Sequence, residues 1–508
     1  MLRRFLLYST LVLPITLLPG CGGGGGGTQP QTSTVTVSIS PLQVSLAVNA
    51  TQQFTATVTG SSNLAVTWKV NSVTGGSSTT GTVNTTGLYT APGTVPSPSS
   101  VTVTAVSQAD VSKTASAIVT LSGSGSPSIN QATQNPPVKL GTTGGNSDDI
   151  SGRFCCSGTL GALLARSGTN YILSNNHVLA RSDLAKVGEP VTQPGLVDNN
   201  CAPGHLVANL SQFVMLEGTK ISNGPPPVYT APADAAIAQV VSGQVDTTGS
   251  ILQLGAVVNG VPQPAPPANT TATPTVGMAV AKSGRTTGLT CSTIGVFQMK
   301  VDVDYSPSCG SKTTSFTVEY DQQIDILSST FSNAGDSGSL IVDATTAQPV
   351  GLLYAGSPSD TVANPISDVL TALADPKTGA LPTFVGGATH MVSGCTGGSS
   401  QGATGQAFTA ASTMRIANEE IVRAVSAKTK HASAMMKDPA IFGVGVTTGD
   451  TPGTAAVMIL VEQGKSHGPI PARLDGVPTK VRVVPRFRAF TGSCEKVLEK
   501  GHSLAGLR

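Results

Sequence analysis

Between residues 35 and 122, apolar and polar positions alternate in short runs. Val35, Val37 and Ile39 are separated by threonine and serine; Phe54, Ala56 and Val58, and later Val101, Val103 and Ala105, are separated by threonine. A period of two predicts half-buried strands, and turn-rich stretches such as Gly75-Gly76-Ser77-Ser78 divide them, so this segment reads as a β-sandwich. Trp68, the only tryptophan, belongs in a buried central strand. Residues 123–137 are rich in Gly, Ser, Pro and Asn and form a linker. A long strand-rich region covers 138–375, and its Pro-, Ala- and Thr-dense stretch 260–274 suits a connection between two sub-barrels. A flexible linker, 376–410, leads into 411–508, where the pattern changes. Ile416, Ile421, Val422 and Val425 have helical spacing within 414–436, with Ser412 as a cap, and 455–461 and 480–484 read as strands. The fold class predicted is mainly β, closed by a small α+β domain of unassigned role.

Composition narrows the function. The 508 residues carry a net charge of +2 and only 11% charged residues, against roughly 25% in ordinary globular proteins. So weak a balance excludes a dedicated basic nucleic-acid binder. Residues 411–508 are net basic, but their scarcity of aromatics makes a solvated face the better reading. At the N-terminus Arg3 and Arg4 precede an apolar stretch, Phe5 to Leu18, shorter than the roughly 20 residues of a membrane span. Residues 1–20 therefore read as a signal peptide, with a retained anchor as the lesser alternative. Leu18-Pro19-Gly20-Cys21 resembles the lipobox of bacterial lipoproteins, although Pro19 departs from it and leaves ordinary signal-peptidase cleavage open. The resemblance implies lipid on Cys21, a Gly-rich tether over 21–34, and an outer-membrane or cell-surface address, otherwise a secreted or periplasmic one. The sandwich, 35–122, resembles bacterial immunoglobulin-like domains of group 2, most visibly in Thr51 to Val58 and Gly87 to Pro92.

Seven further cysteines remain, and disulfides are permitted outside the cytosol. Cys201 could reach Cys155 or Cys156; Cys291 and Cys309 flank strand-like sequence and could staple a hairpin. An odd count leaves one thiol over, or disulfide-linked to another chain. None has the paired spacing of a zinc site, so no metal and no cofactor are expected.

The chemistry lies in three segments. Phe331 to Leu340 contains Gly335-Asp336-Ser337-Gly338; a strand-like run ending at Ser174 is followed by Asn175-Asn176-His177; and Ala233-Asp234-Ala235 enters another apolar run. A serine hydroxyl is a poor nucleophile at neutral pH and needs an imidazole to take its proton, while a buried carboxylate orients that imidazole. His205 competes with His177, and Asp183, Asp198 and Asp246 with Asp234; the strand-end positions of His177 and Asp234 favour them. Asp336 reads as a structural carboxylate.

The order His, Asp, Ser and the local sequences resemble the chymotrypsin-like (trypsin-like) serine proteases over 138–375. That resemblance implies a double β-barrel, with Ser337 as nucleophile, His177 as general base and acid, and Asp234 as orienting carboxylate. It also implies an oxyanion hole from the backbone N–H groups of Gly335 and Ser337, and substrate backbone pairing along Tyr354, Ala355 and Gly356. No activation site of the zymogen kind precedes the domain, so Asp336 needs a partner other than a newly cut N-terminus. The function expected is an exported, lipid-anchored serine endopeptidase. It would act on a protein or peptide substrate, touch the membrane only through its lipid, and bind no nucleic acid. The alternative is a surface adhesin or scaffold with an inactive protease-like domain. Nothing in the sequence sets an oligomeric state.

Overall fold

The computed structural model describes residues 34–122, 128–395 and 416–495, apart from residues 42, 49, 94, 95, 97–99, 153, 312, 490 and 491. The signal peptide, Cys21, most of the tether and Ser412 lie outside the described residues. The chain divides into two compact units, one ending at Ser124 and one beginning at Gly125.

The described residues of the first unit form three small sheets. One has five strands in the order Gln43–Ala47, Thr114–Ser122, Ser100–Ser107, Val66–Val70, Val73–Thr74. A four-stranded sheet joins Thr51–Gln53, Leu88–Thr90, Gly81–Val83 and Gly76–Ser77, and Thr36–Ser40 pairs with Thr55–Thr59. Their inward residues, among them Phe54, Trp68, Tyr89 and Val103, form one apolar core. Gly87 has φ +86°, and a Cβ there would lie 2.7 Å from Trp68 Cζ2, so only glycine lets the chain cross the indole. Because Trp68 is buried in this core, Trp68→Ala is expected to destabilise the unit by about 3–5 kcal/mol through lost transfer energy and a cavity. Denaturant unfolding followed at equilibrium checks it; a loss under about 1 kcal/mol would contradict the packing described.

The second unit is built on two barrels, each closed by the same device. In the first, the chain runs through Phe154–Leu160, bends at Gly161 and continues as Ala162–Arg166. The leading half pairs with Thr142–Asn146 and the trailing half with Thr169–Ser174, and Pro190–Gln193, His205–Phe213 and Ala236–Val240 complete the ring. Glycine is required at the bend, since a Cβ on Gly161 would fall 2.0 Å from the Gly338 carbonyl oxygen. In the second barrel, Gly288–Thr293 pairs with Ala279–Gly284, then bends through Ile294 and Gly295 into Val296–Tyr305, which pairs with Phe316–Ile326. Leu340–Asp343, Pro349–Ser357 and Asp360–Pro365 close that ring, and the helix Ile366–Ala372 follows. The stretch 263–278 connects the barrels with no named strand of its own. Mainly β structure with paired barrels is thus what the chain adopts.

The C-terminal segment is hydrogen-bonded into the second barrel's sheet. Ile441–Thr448, a strand that sequence patterning missed, takes the outer edge of Val296–Tyr305, and Ala455–Glu462 and Val477–Val484 extend the sheet. The helix runs Asn418–Met435, later in its start than the spacing predicts, and lays Ala424, Ala427 and Ala432 towards the sheet. Small residues there allow close approach of helix and strands.

Three disulfides occur among the described residues: Cys155–Cys201, Cys156–Cys309 and Cys291–Cys395. The first is one of the two pairings left open by the sequence. The hairpin staple between Cys291 and Cys309 is not formed. The strand carrying Cys291 continues into Val296–Tyr305 rather than folding back on itself, which leaves the two cysteines at opposite ends of a long run. Neighbouring Cys155 and Cys156 point to opposite faces of their strand, so each finds a different partner.

Candidate active site

His177 sits in a single helical turn, Asn176–Leu179, entered directly from the strand Thr169–Ser174. Asp234 precedes Ala236–Val240, and these two strands pair with Ser174 opposite Ala236. That register brings residues 57 apart in sequence into contact. His177 Nδ1 lies 2.5 Å from Asp234 Oδ2, and the His177 backbone N–H donates to Oδ1 at 3.2 Å. Both side chains are buried, and Asp234 is further held from the second barrel: the Tyr305 hydroxyl donates to its carboxylate Oδ2 at 2.8 Å, and its backbone N–H donates to Asn364 Oδ1 at 2.9 Å. Asn175 Nδ2 donates to the Asp234 carbonyl at 2.8 Å. Tyr305 and Tyr320 share a hydrogen bond of 2.7 Å; burial, and then the charge of Asp234, pushes both phenols well up from their ordinary range, so they remain neutral donors.

Ser337 lies in a turn that presses against the first barrel. Gly335 and Gly338 have φ of +97° and +92°, and a Cβ on Gly338 would come within 2.1 Å of Ser174 Oγ and 2.2 Å of the Thr159 carbonyl. Thr159 ties the turn down, its N–H donating to the Ser337 carbonyl at 2.8 Å and its hydroxyl to the Gly335 carbonyl at 3.0 Å. Gly158 lies where the serine's turn meets the histidine's: a Cβ there would be 2.6 Å from Val178 Cγ2 and 2.9 Å from the Ser337 carbonyl oxygen. The Ser337 hydroxyl donates to the Tyr354 carbonyl at 3.3 Å, and His177 Nε2 is buried with no hydrogen-bond partner among the described residues. The N–H groups of Gly335 and Ser337 likewise donate to no backbone carbonyl among the described residues.

Asp336 finds its partner inside the fold. It accepts from the N–H groups of Thr286 at 2.8 Å, Thr287 at 3.1 Å and Asn333 at 2.9 Å, and the Lys282 ammonium lies 3.5 Å away, both side chains fully buried. Burial pushes the Lys282 ammonium down, and the charge of Asp336 works against that shift. Arg285 makes a bidentate pair with Asp198 at 2.6 and 2.7 Å, joining the two barrels. Asp198 is thereby engaged, Asp183 accepts from the N–H groups of Leu216 and Glu217, Asp246 accepts from Thr248, and His205 is exposed at the start of a strand. Of the four aspartates weighed, Asp234 is the one hydrogen-bonded to His177.

Tyr354, Ala355 and Gly356 run beside Ser337, fully buried in Pro349–Ser357. Ala355 and Gly356 are paired antiparallel with Ala489 and Arg488 of the chain's own C-terminal segment. A cavity of about 160 Å³ lies against His177, lined also by Asp149, Arg181, Tyr305 and Ala489. Burial pushes the Asp149 carboxyl up to about 6. No cluster of metal-ligating side chains occurs among the described residues.

Sequence reasoning missed Tyr305, Tyr320, Asn364 and Lys282. A buried tyrosine hydroxyl requires a partner, which marks Tyr305 as a candidate for some polar contact, but nothing along the chain says which.

No family model matches this chain, and no curated protein matches it. Similar solved structures include a glutamic-acid-specific serine protease that uses a histidine triad in substrate binding, at 16% identity over 49% of this chain and 100% of that one, with a TM-score of 0.31. A Nocardiopsis protease is 17% identical over 44% of this chain and 94% of its own, with a TM-score of 0.28. The chymotrypsin of Cellulomonas bogoriensis is 17% identical over 45% of this chain and 94% of its own, with a TM-score of 0.27.

Proposed function

We propose that this chain is an exported serine endopeptidase that cleaves peptide bonds through an acyl-enzyme, with Ser337, His177 and Asp234 as its triad. The contact that carries the reading is His177 Nδ1 on a buried Asp234 carboxylate, with Nε2 left free of any hydrogen-bond partner. An acceptor on Nδ1–H holds the imidazole in the tautomer whose Nε2 lone pair can receive a proton. As the Ser337 hydroxyl turns from the Tyr354 carbonyl to Nε2, its oxygen attacks the substrate carbonyl carbon and its proton passes to His177. The carbonyl electrons move onto oxygen, where the N–H groups of Gly335 and Ser337 receive them. His177 then returns the proton to the departing amine as the C–N bond breaks. Water repeats the sequence on the ester, releasing the acid and restoring Ser337.

Export and lipid attachment at Cys21 rest on the N-terminal sequence, and three disulfides agree with an extracytoplasmic site. Residues 35–122 serve as an immunoglobulin-like spacer between the anchor and the catalytic region. The second reading, a scaffold with an inactive protease-like region, is favoured by one observation: Ser337 has no exposed surface. A fluorophosphonate probe separates the two. The expected result is covalent labelling of the purified chain and none of Ser337→Ala; equal labelling of both overturns the endopeptidase reading, and so does labelling of neither when the pairing of Arg488–Ala489 with Ala355–Gly356 has also been loosened.

A further inference from the structure

The strand edge beside Ser337 is already occupied. Arg488–Ala489 pairs with Ala355 and Gly356 on one side and with Asp304 on the other, lying between Pro349–Ser357 and Val296–Tyr305. The Asp304 N–H donates to the Phe487 carbonyl at 3.0 Å. Farther on, Gly492–Glu495 pairs antiparallel with Phe154–Ser157, so the chain passes from the second barrel to the first. Ala489 lines the cavity against His177. His177 is 2% exposed and Ser337 0%. An extended peptide docks on a strand edge by using that edge's own N–H and C=O groups, and here the chain itself uses them.

The anchors are specific. Arg486 reaches three carboxylates, Asp304 from Nε and Asp302 from Nη2, each at 3.1 Å, and Glu462 from Nη1 at 3.5 Å, and its guanidinium lies over the Phe442 ring. Phe487 is fully buried and meets Phe442 edge to face at 5.2 Å. These contacts hold residues 486 and 487 on the sheet and deliver 488 and 489 to the groove.

We propose that the groove along Ala355–Gly356 is a docking site for an extended peptide and that residues 486–489 of the C-terminal segment occupy it as a built-in inhibitory strap, displaced before substrate enters. The occupant is a strand of this same chain, which makes the strap a competitor present at a fixed high local concentration. Its chemistry as an inhibitor rests on the endopeptidase reading; its occupancy of the groove does not.

Two full-length variants test it, Arg486→Ala/Phe487→Ala and the gentler Arg486→Gln, the second covering the case in which loss of Phe487 impairs folding. Each is compared with the wild-type chain for fluorophosphonate labelling and for uptake of a fluorescent synthetic peptide of residues 484–491. Loosening the strap is expected to raise the labelling rate at least about tenfold, as a larger share of molecules has the groove open. The variants should take up the peptide, which in turn slows their labelling, and the wild-type chain should take up little. The proposal is overturned if the variants take up no more peptide than the wild type, or if a wild-type chain that does label does so as fast as they do. Selective peptide uptake with no labelling of any chain sinks the endopeptidase reading and leaves the strap in place.

Discussion

Ser337→Ala and His177→Ala, each in a chain whose strap has been loosened, are expected to lower kcat for an unfolded protein substrate by about 10⁶, and the double variant by no more than either alone. The two residues perform one step together. Without the hydroxyl there is no nucleophile for the imidazole to activate, and without the imidazole the hydroxyl keeps its proton. Residual turnover above the uncatalysed rate should persist, because the N–H groups of Gly335 and Ser337 belong to the backbone and survive both substitutions. Steady-state kinetics on the three variants checks this. Additive losses in the double variant would mean that Ser337 and His177 do not act on the same proton.

Asp234→Asn should cost about 10⁴ in kcat while leaving the thermal unfolding profile close to that of the parent. The side chain keeps its shape, and its oxygen can still accept from the His177 backbone N–H at the position now occupied by Oδ1. The NH₂ then stands where Oδ2 was and faces His177 Nδ1, which must accept rather than donate. The proton moves to Nε2, and a protonated Nε2 cannot receive one from Ser337. A carboxylate that served only as packing would lose little in this exchange, since asparagine fills the same space, so an unchanged kcat would remove Asp234 from the triad.

The site was legible in unequal parts. His177 and Asp234 stand where apolar runs end or begin, and strand-end placement is local information that a sequence carries. Trp68 and Phe54 were legible for the same reason, since period-two alternation states which face a residue takes before any partner is known. Asp336 was identified as structural, but its partner Lys282 was not, because the ion pair joins a strand of the second barrel to the turn of Ser337, 54 residues on, and depends on burial that no local pattern reports. Tyr305 and Asn364 were invisible for a related reason. Their contacts to Asp234 cross from one barrel to the other, and a hydroxyl or an amide does not encode its acceptor.

The cysteines mark the boundary between these kinds of information. Adjacent Cys155 and Cys156 must point apart in a strand, so they had to take different partners, and the sequence implies that much. Which partners they take, Cys201 and Cys309, follows from where distant loops come to rest. The same division separates the chemistry from its control. Residue types, their order and their strand-end positions determined a candidate nucleophile, base and carboxylate, because strand periodicity and turn chemistry are local. That the segment around Arg488 lies on the edge beside that nucleophile was decided only by the tertiary structure. Backbone hydrogen bonds between strands are nearly independent of side-chain identity, so no residue in either strand announces the pairing.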